Sequence, residues 1–197
     1  MLCKIKLDPT DLKKYAELCS KKTSFINQDL AGVIKHEHSI DVQKYSEIID
    51  PYVSIFYESF KQWYGISPPA RMLIARAWVN FMTAGEFNPP HTHSRCDFSS
   101  VLFVQVPEEL KEEHKKFEGQ GVGPGALSFI HGGTQSFSIT HMNFFPEEGD
   151  FYIFPAPLTH FVSPFTSKGE RISISANFKF DLNRPGERRD YEVEQAI

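Results

Sequence analysis

The sequence predicts a mainly β protein, a barrel or two-sheet sandwich with a helical layer packed on one side. Three observations lead there. After about residue 70 the apolar spacing changes from roughly 3.6 to 2. Most of the 18 phenylalanines lie in the short alternating runs that follow. Turn-forming stretches such as "TAGEFNPP", "GQGVGPG", "PEEGD" and "SKGE" separate those runs.

Residues 1–70 read as helical. Asp8 is a favourable N-cap and Pro9 suits the first helical position, after which Leu12, Tyr15, Ala16 and Cys19 share one face. A second run sets Ile49, Tyr52, Val53, Phe56, Phe60 and Trp63 at helical spacing and stops at Gly65. Pro51 either kinks this helix or starts a new one. The aromatic stripe reads as a core-packing face. Beyond it, "RMLIARAWVNFM", "SSVLFVQVP", "DFYIFP" and "RISISANFKF" read as strands, and "ALSFIH" with "TQSFSIT" as a hairpin across Gly132 and Gly133. "PEELKEEHKKFEG" is a charged surface segment with room for one short helix.

The 197 residues suit one domain with a sizeable core, and a hydrophobic share of 41% suits an ordinary globular chain. A formal net charge of -4 points neither to nucleic acid nor to a membrane surface as a partner. Cys3, Cys19 and Cys96 are odd in number and scattered, which argues against a disulfide framework and fits a reducing compartment. "MLCKIKLDPTD" has no apolar leader region and no run approaches the length of a membrane span, so the expected location is cytoplasmic. A homodimer is compatible with all of this.

The chemistry concentrates in "NPPHTHSRCDFSS", residues 88–100. On an extended segment His91 and His93 point to the same side, and Pro89 and Pro90 stiffen the approach. Two histidines alone are more often ordinary polar residues than metal ligands. A third candidate, His160, follows the strand "DFYIFP" at the position where a barrel mouth places ligands. In "RISISANFKF" alternation puts Arg171, Ser173, Ser175 and Asn177 on one face and Ile172, Ile174, Ala176 and Phe178 on the other. The polar face is either solvated or a carboxylate clamp, in which Arg171 offers a bidentate fork and Ser173 a third donor. "ARAWVNFM" presents Arg76, Trp78 and Asn80 in the same manner.

H-x-H after a first strand, a lone histidine after a later one, then R-x-S: this order resembles that of the iron(II)- and 2-oxoglutarate-dependent oxygenases. In that superfamily H-x-D/E, a distal histidine and a following arginine bind iron and the cosubstrate on a double-stranded β-helix, a jelly-roll or cupin-like fold. The stretches "AWVNFMTAGEFNPPHTHSRCDFSSVLFVQVP" and "GDFYIFPAPLTHFVSPFTSKGERISISANF" look like the small oxygenases of bacteria and tailed phages, near the prolyl hydroxylases. The likeness spans roughly residues 72–180 and covers the N-terminal part only in character.

The resemblance implies one oxygenase domain over 1–197: a helical support layer at 1–70, the double-stranded β-helix at 71–180 and a C-terminal tail at 181–197. It implies iron(II), 2-oxoglutarate and O2 as cofactors, and location in the host cytoplasm if the chain is phage-encoded. His93 stands where the family's carboxylate ligand belongs. The ligands are then either His91, His93 and His160, or a set in which Asp97 replaces His93; an all-imidazole set is one that iron accepts. Arg171 and Ser173 would hold the distal carboxylate of 2-oxoglutarate, and Asn80 would donate to its near end. Trp78, Phe103 and Phe161 would be walls, with Phe103 where related hydroxylases place a tyrosine. No catalytic side chain beyond the metal ligands is implied. The expected reaction hydroxylates a protein or peptide side chain and releases succinate and CO2. Two alternatives remain at this stage. One is a three-histidine cupin-like metalloprotein, such as a thiol dioxygenase or zinc isomerase, without 2-oxoglutarate. The other is a non-catalytic binding module on the same fold.

Overall fold

The structure, a computed structural model, describes residues 1–133 and 139–181. The first strand, β1 (Cys3–Lys6), leads into helix α1 (Pro9–Leu18). Asp8 caps α1 by accepting from the Thr10 amide at 2.8 Å, with Pro9 in its first turn. Strand β2 (His36–Ser39) precedes the long helix α2 (Val42–Tyr64). Asp41 caps α2 at one end, accepting from the Lys44 amide. Gly65 closes the other at φ +70°, a left-handed conformation that glycine adopts without steric cost. The helix runs through Pro51 without restarting.

Strands β3 (Met72–Met82), β4 (Asn88–His91) and β5 (Phe98–Gln105) follow, then helix α3 (Glu108–Lys115). Strands β6 (Leu127–Ile130), β7 (His141–Phe144), β8 (Asp150–Pro155), β9 (Thr159–Val162) and β10 (Arg171–Phe180) complete the described chain. Two antiparallel sheets result, one ordered β1-β8-β5-β10-β3-β2 and the other β4-β9-β6-β7. From β3 to β10 the chain passes back and forth between them, which is the winding of a double-stranded β-helix. Hydrogen bonds do not close the two sheets into a barrel, so the sandwich form of the expectation holds.

The large sheet has a core on each side. Its outer face, with Val79, Phe81, Leu102, Ile153, Ile174 and Phe178, packs on Tyr15, Tyr45, Ile49, Val53 and Phe56 of α1 and α2. Burying each such side chain contributes about 1.5–3 kcal/mol, which is what fixes the helices to the sheet. Its inner face meets the small sheet across Met82, Phe103, Leu127, Phe129, Tyr152 and Phe154.

Several expectations are corrected. The first 70 residues are not wholly helical: β1 pairs with β8 and β2 with β3. Both are four-residue edge strands, whose pairing is decided by the partner strand rather than by local propensity. Ala16 lies on the exposed side of α1. Trp63, expected in the core stripe, is 70% exposed. The strand pairing with β6 is His141–Phe144, and residues 134–138 of the expected hairpin lie outside the described residues. Of the C-terminal tail only Asp181 lies within them.

Candidate metal centre

The three histidines converge. Strands β4 and β9 pair with His91 directly opposite His160, and His93 follows β4 on a segment whose His93 amide donates to Ala156 O at 2.9 Å. Pro89 and Pro90 are tolerated because β4 is an edge strand. One ligand atom from each of the three rings lies within 4.8 Å of the others, and His93 Nε2 is 3.3 Å from His160 Nε2. Backbone carbonyls fix two of the rings. His91 Nδ1 donates to Pro89 O at 2.7 Å and His160 Nδ1 to Leu158 O at 2.9 Å, which leaves each Nε2 as a lone pair.

Burial lowers the pKa of all three. His91 falls below its usual value, His93 falls to about 4 and His160 to about 3, with the neighbouring imidazoles adding to the effect at His93 and His160. The rings are therefore neutral at pH 7. Neutral lone pairs at this spacing fit a cation: two nitrogens each about 2.1 Å from one ion stand about 3.0–3.4 Å apart at ordinary coordination angles. Asp97 is elsewhere. Its Oδ2 accepts from the Phe180 amide at 2.8 Å, and its own amide donates to Phe178 O, so the carboxylate is spent on the end of β10. Of the two ligand sets, the geometry assembles the three histidines.

Next to this group lies a cavity between the sheets. Arg171, Ser173 and Ser175 of β10 line it with Trp78 and Asn80 of β3, Ser173 standing opposite Asn80 and Ser175 opposite Trp78. Arg171 is 2% exposed. Its Nη1 donates to Gly125 O at 3.0 Å, its Nη2 meets the weakly accepting Met82 Sδ at 2.8 Å, and its Nε has no partner. The guanidinium also lies 5.3 Å from the centroid of the Phe103 ring. Gly125 takes φ +70°, and a Cβ there would come within 2.8 Å of Leu110, so the carbonyl is presented by a position that needs glycine. Among the described residues no carboxylate pairs with Arg171. Burial pulls its pKa down to about 10, which still leaves it cationic at neutral pH. A buried cation with no carboxylate partner among the described residues, beside hydroxyl groups, has the chemistry to receive a carboxylate.

Asn80 is fully engaged within the protein. It accepts from Trp78 Nε1 at 3.0 Å and donates to Ser175 Oγ at 3.0 Å and to Ser173 at 3.4 Å. Trp78 and Phe103 line the cavity as expected, but Phe161 does not. It follows His160 on β9 and so points to the opposite face; Phe154 of β8 takes the place of that wall. Asn88, Ile34 and Ser175 also line the cavity. Ser175 was legible from the alternation of β10. Ile34 carries no local signal, since it arrives from a loop remote in sequence.

Three neutral histidines beside a buried arginine, in a cavity between the two sheets of a double-stranded β-helix, suit a metal-dependent oxygenase with an anionic cosubstrate. The family follows from the sequence match: the model of the family described as "Putative 2OG-Fe(II) oxygenase" matches residues 76–177, and the chain belongs to that family. Iron(II) and 2-oxoglutarate are accordingly its cofactors.

Solved structures agree in fold. A prolyl-4-hydroxylase of Pseudomonas putida is 16% identical, with 91% of this chain and 92% of that one covered at a TM-score of 0.55. A prolyl hydroxylase of Trichoplax adhaerens, in complex with a hypoxia inducible factor peptide fragment, is 11% identical, with 91% and 83% covered and a TM-score of 0.52. A Streptomyces hygroscopicus protein with nickel, 2-oxoglutarate and hygromycin B bound is 9% identical, with 92% and 83% covered and a TM-score of 0.53. No curated protein sequence matches the chain.

Proposed function

We propose that this oxygenase hydroxylates a protein or peptide side chain in the manner of the prolyl hydroxylases, releasing succinate and CO2, and that the whole chain acts as one domain. His91, His93 and His160 would hold iron(II), which together with 2-oxoglutarate supplies the oxidising chemistry when bound. The observation that carries the reading is Arg171, a buried cation with no carboxylate partner among the described residues, on the face shared with Ser173 and Ser175. Arg171 and Ser173 would take the distal carboxylate, with the guanidinium gaining the counter-charge it lacks. The carbonyls of Pro89 and Leu158 keep the His91 and His160 tautomers ready to bind metal. Trp78, Phe103 and Phe154 would give the cavity apolar walls. The prolyl hydroxylases among the structural neighbours, one of them with a peptide bound, support a peptide side chain as substrate. The family membership and an Arg171 that meets no carboxylate among the described residues favour this over the cupin-like alternative, which has no need of an anion receptor.

The test is succinate release from 2-oxoglutarate by the iron-loaded protein, with and without a peptide library, followed by mass analysis of the peptides. Turnover stimulated by particular peptides, each gaining one oxygen atom, is the expected result. Stimulation by small molecules with none by peptides would move the substrate class.

A further inference from the structure

Two serine hydroxyls on β10 line the cavity with protons that no described residue receives. Ser173 Oγ and Ser175 Oγ both accept from the same amide, Asn80 Nδ2, at 3.4 and 3.0 Å. Asn80 cannot turn around, because Trp78 Nε1, a group that only donates, holds its Oδ1 at 3.0 Å. A hydroxyl that accepts on one side keeps its own proton for a different partner. Among the described residues no acceptor takes either proton, so both are available to a ligand in the cavity.

The spacing of the two serines distinguishes their roles. Successive same-face residues on a strand stand about 6.6–6.8 Å apart. Ser173 is opposite Asn80, one step from Arg171, at the end where the guanidinium is. Ser175 is opposite Trp78, whose ring centroid is 6.2 Å from that of His93. Ser175 and the three histidines line the same cavity. An extended five-carbon dicarboxylate places its two carboxyl carbons roughly 5 Å apart, from carbon–carbon bond lengths of about 1.5 Å. With one end at Arg171 and Ser173, the other end comes within reach of Ser175.

We propose that Ser175 binds the metal-proximal carboxylate of 2-oxoglutarate, and that Asn80 is the positioning residue that turns the Ser175 hydroxyl toward it. The proposal rests on the cosubstrate reading above and adds a contact which that reading does not contain.

Calorimetric titration of manganese-loaded protein tests it with two ligands. 4-Oxopentanoate keeps the keto group and the distal carboxylate of 2-oxoglutarate and lacks the proximal carboxylate. Ser175→Val and Ser175→Thr differ by a hydroxyl at nearly equal volume, and both suit a strand. Ser175→Val should weaken 2-oxoglutarate by about tenfold to a hundredfold, as expected for losing a hydrogen bond to a charged group. Ser175→Thr should stay near wild type, and 4-oxopentanoate should bind all three proteins alike. Ser173→Val should weaken both ligands. In an Asn80→Ala background, Ser175→Val should cost much less than it does alone.

A second readout is the absorption band of the anaerobic iron(II) protein at saturating 2-oxoglutarate. It should shift in Ser175→Val and remain in place in Ser173→Val. Equal weakening of both ligands by Ser175→Val, unchanged 2-oxoglutarate binding, or an unshifted band would overturn the assignment. Full additivity with Asn80→Ala would remove the positioning role. A wild type that binds no 2-oxoglutarate would overturn the cosubstrate reading as well, which separates the two failures.

Discussion

Replacing Arg171 should separate stability from binding. Arg171 is buried, and its guanidinium meets one carbonyl and one thioether but no carboxylate among the described residues. Burial lowers its pKa to about 10. A base whose folded pKa is depressed destabilises the fold wherever the group stays charged, so the cost is present below about pH 10 and fades as pH rises from there into the ordinary guanidinium range. At neutral pH that cost is ~3 kcal/mol, at about 1.4 kcal/mol per pKa unit. Arg171→Met removes the charge at similar bulk and should leave the ligand-free protein as stable as wild type or up to ~3 kcal/mol more stable. The same change should destroy the anion receptor. Breaking a buried ion pair by removing one partner costs about 3–5 kcal/mol, or roughly two to three and a half decades of affinity for 2-oxoglutarate. Arg171→Lys should recover only part of it, because a point charge does not reproduce the fork. Denaturant unfolding of the ligand-free proteins and calorimetric titration of 2-oxoglutarate into the manganese-loaded proteins measure the two halves. Arg171→Met that binds 2-oxoglutarate as tightly as wild type would refute the receptor. A loss of several kcal/mol of ligand-free stability would refute the idea that the charge is uncompensated.

Three further outcomes are expected. His93→Ala and His160→Ala should each lose bound metal, measured by equilibrium dialysis, whereas Asp97→Ala should retain it; the opposite order for His93 and Asp97 would return the carboxylate to the ligand set. Glu37 lies buried on β2 opposite Asn80, with one oxygen unpartnered, and burial followed by the charge of Glu86 raises its pKa to about 7. Its ionisation therefore destabilises the fold progressively from about pH 4.5 to 7, so Glu37→Gln should raise the stability at pH 8 by about 1–3 kcal/mol and change little at pH 4, with equal melting temperatures at pH 8 counting against it. Phe56, fully buried between α2 and the sheet, should cost about 3–5 kcal/mol on replacement by Ala, whereas Trp63→Ala should stay within about 0.5 kcal/mol, both read from chemical denaturation.

What the sequence determined by itself was whatever depends on near neighbours along the chain. The period-2 alternation of Met72–Met82 and Arg171–Phe180 defined both strands and divided their faces, so Arg171, Ser173 and Ser175 were already separated from Ile174 and Phe178. Asp8 marks a helix start and Gly65 a helix end, because capping is a local matter of hydrogen bonds and backbone angles. The order H-x-H, His160, Arg171 carried the family. Only the tertiary structure decided the matters that depend on which segments meet. Strands β1 and β2 exist because β8 and β3 offer them unpaired edges, and four residues hold too little pattern to announce it. Asp97 is as near to His93 in the chain as a ligand needs to be, yet the Phe180 amide claims it. The pairing of His91 with His160, the missing counter-charge of Arg171 and the shared amide of Asn80 each require two strands remote in sequence to lie in register. Register is set by burying one face of every strand at once, a condition on the whole core that no single stretch of the chain contains.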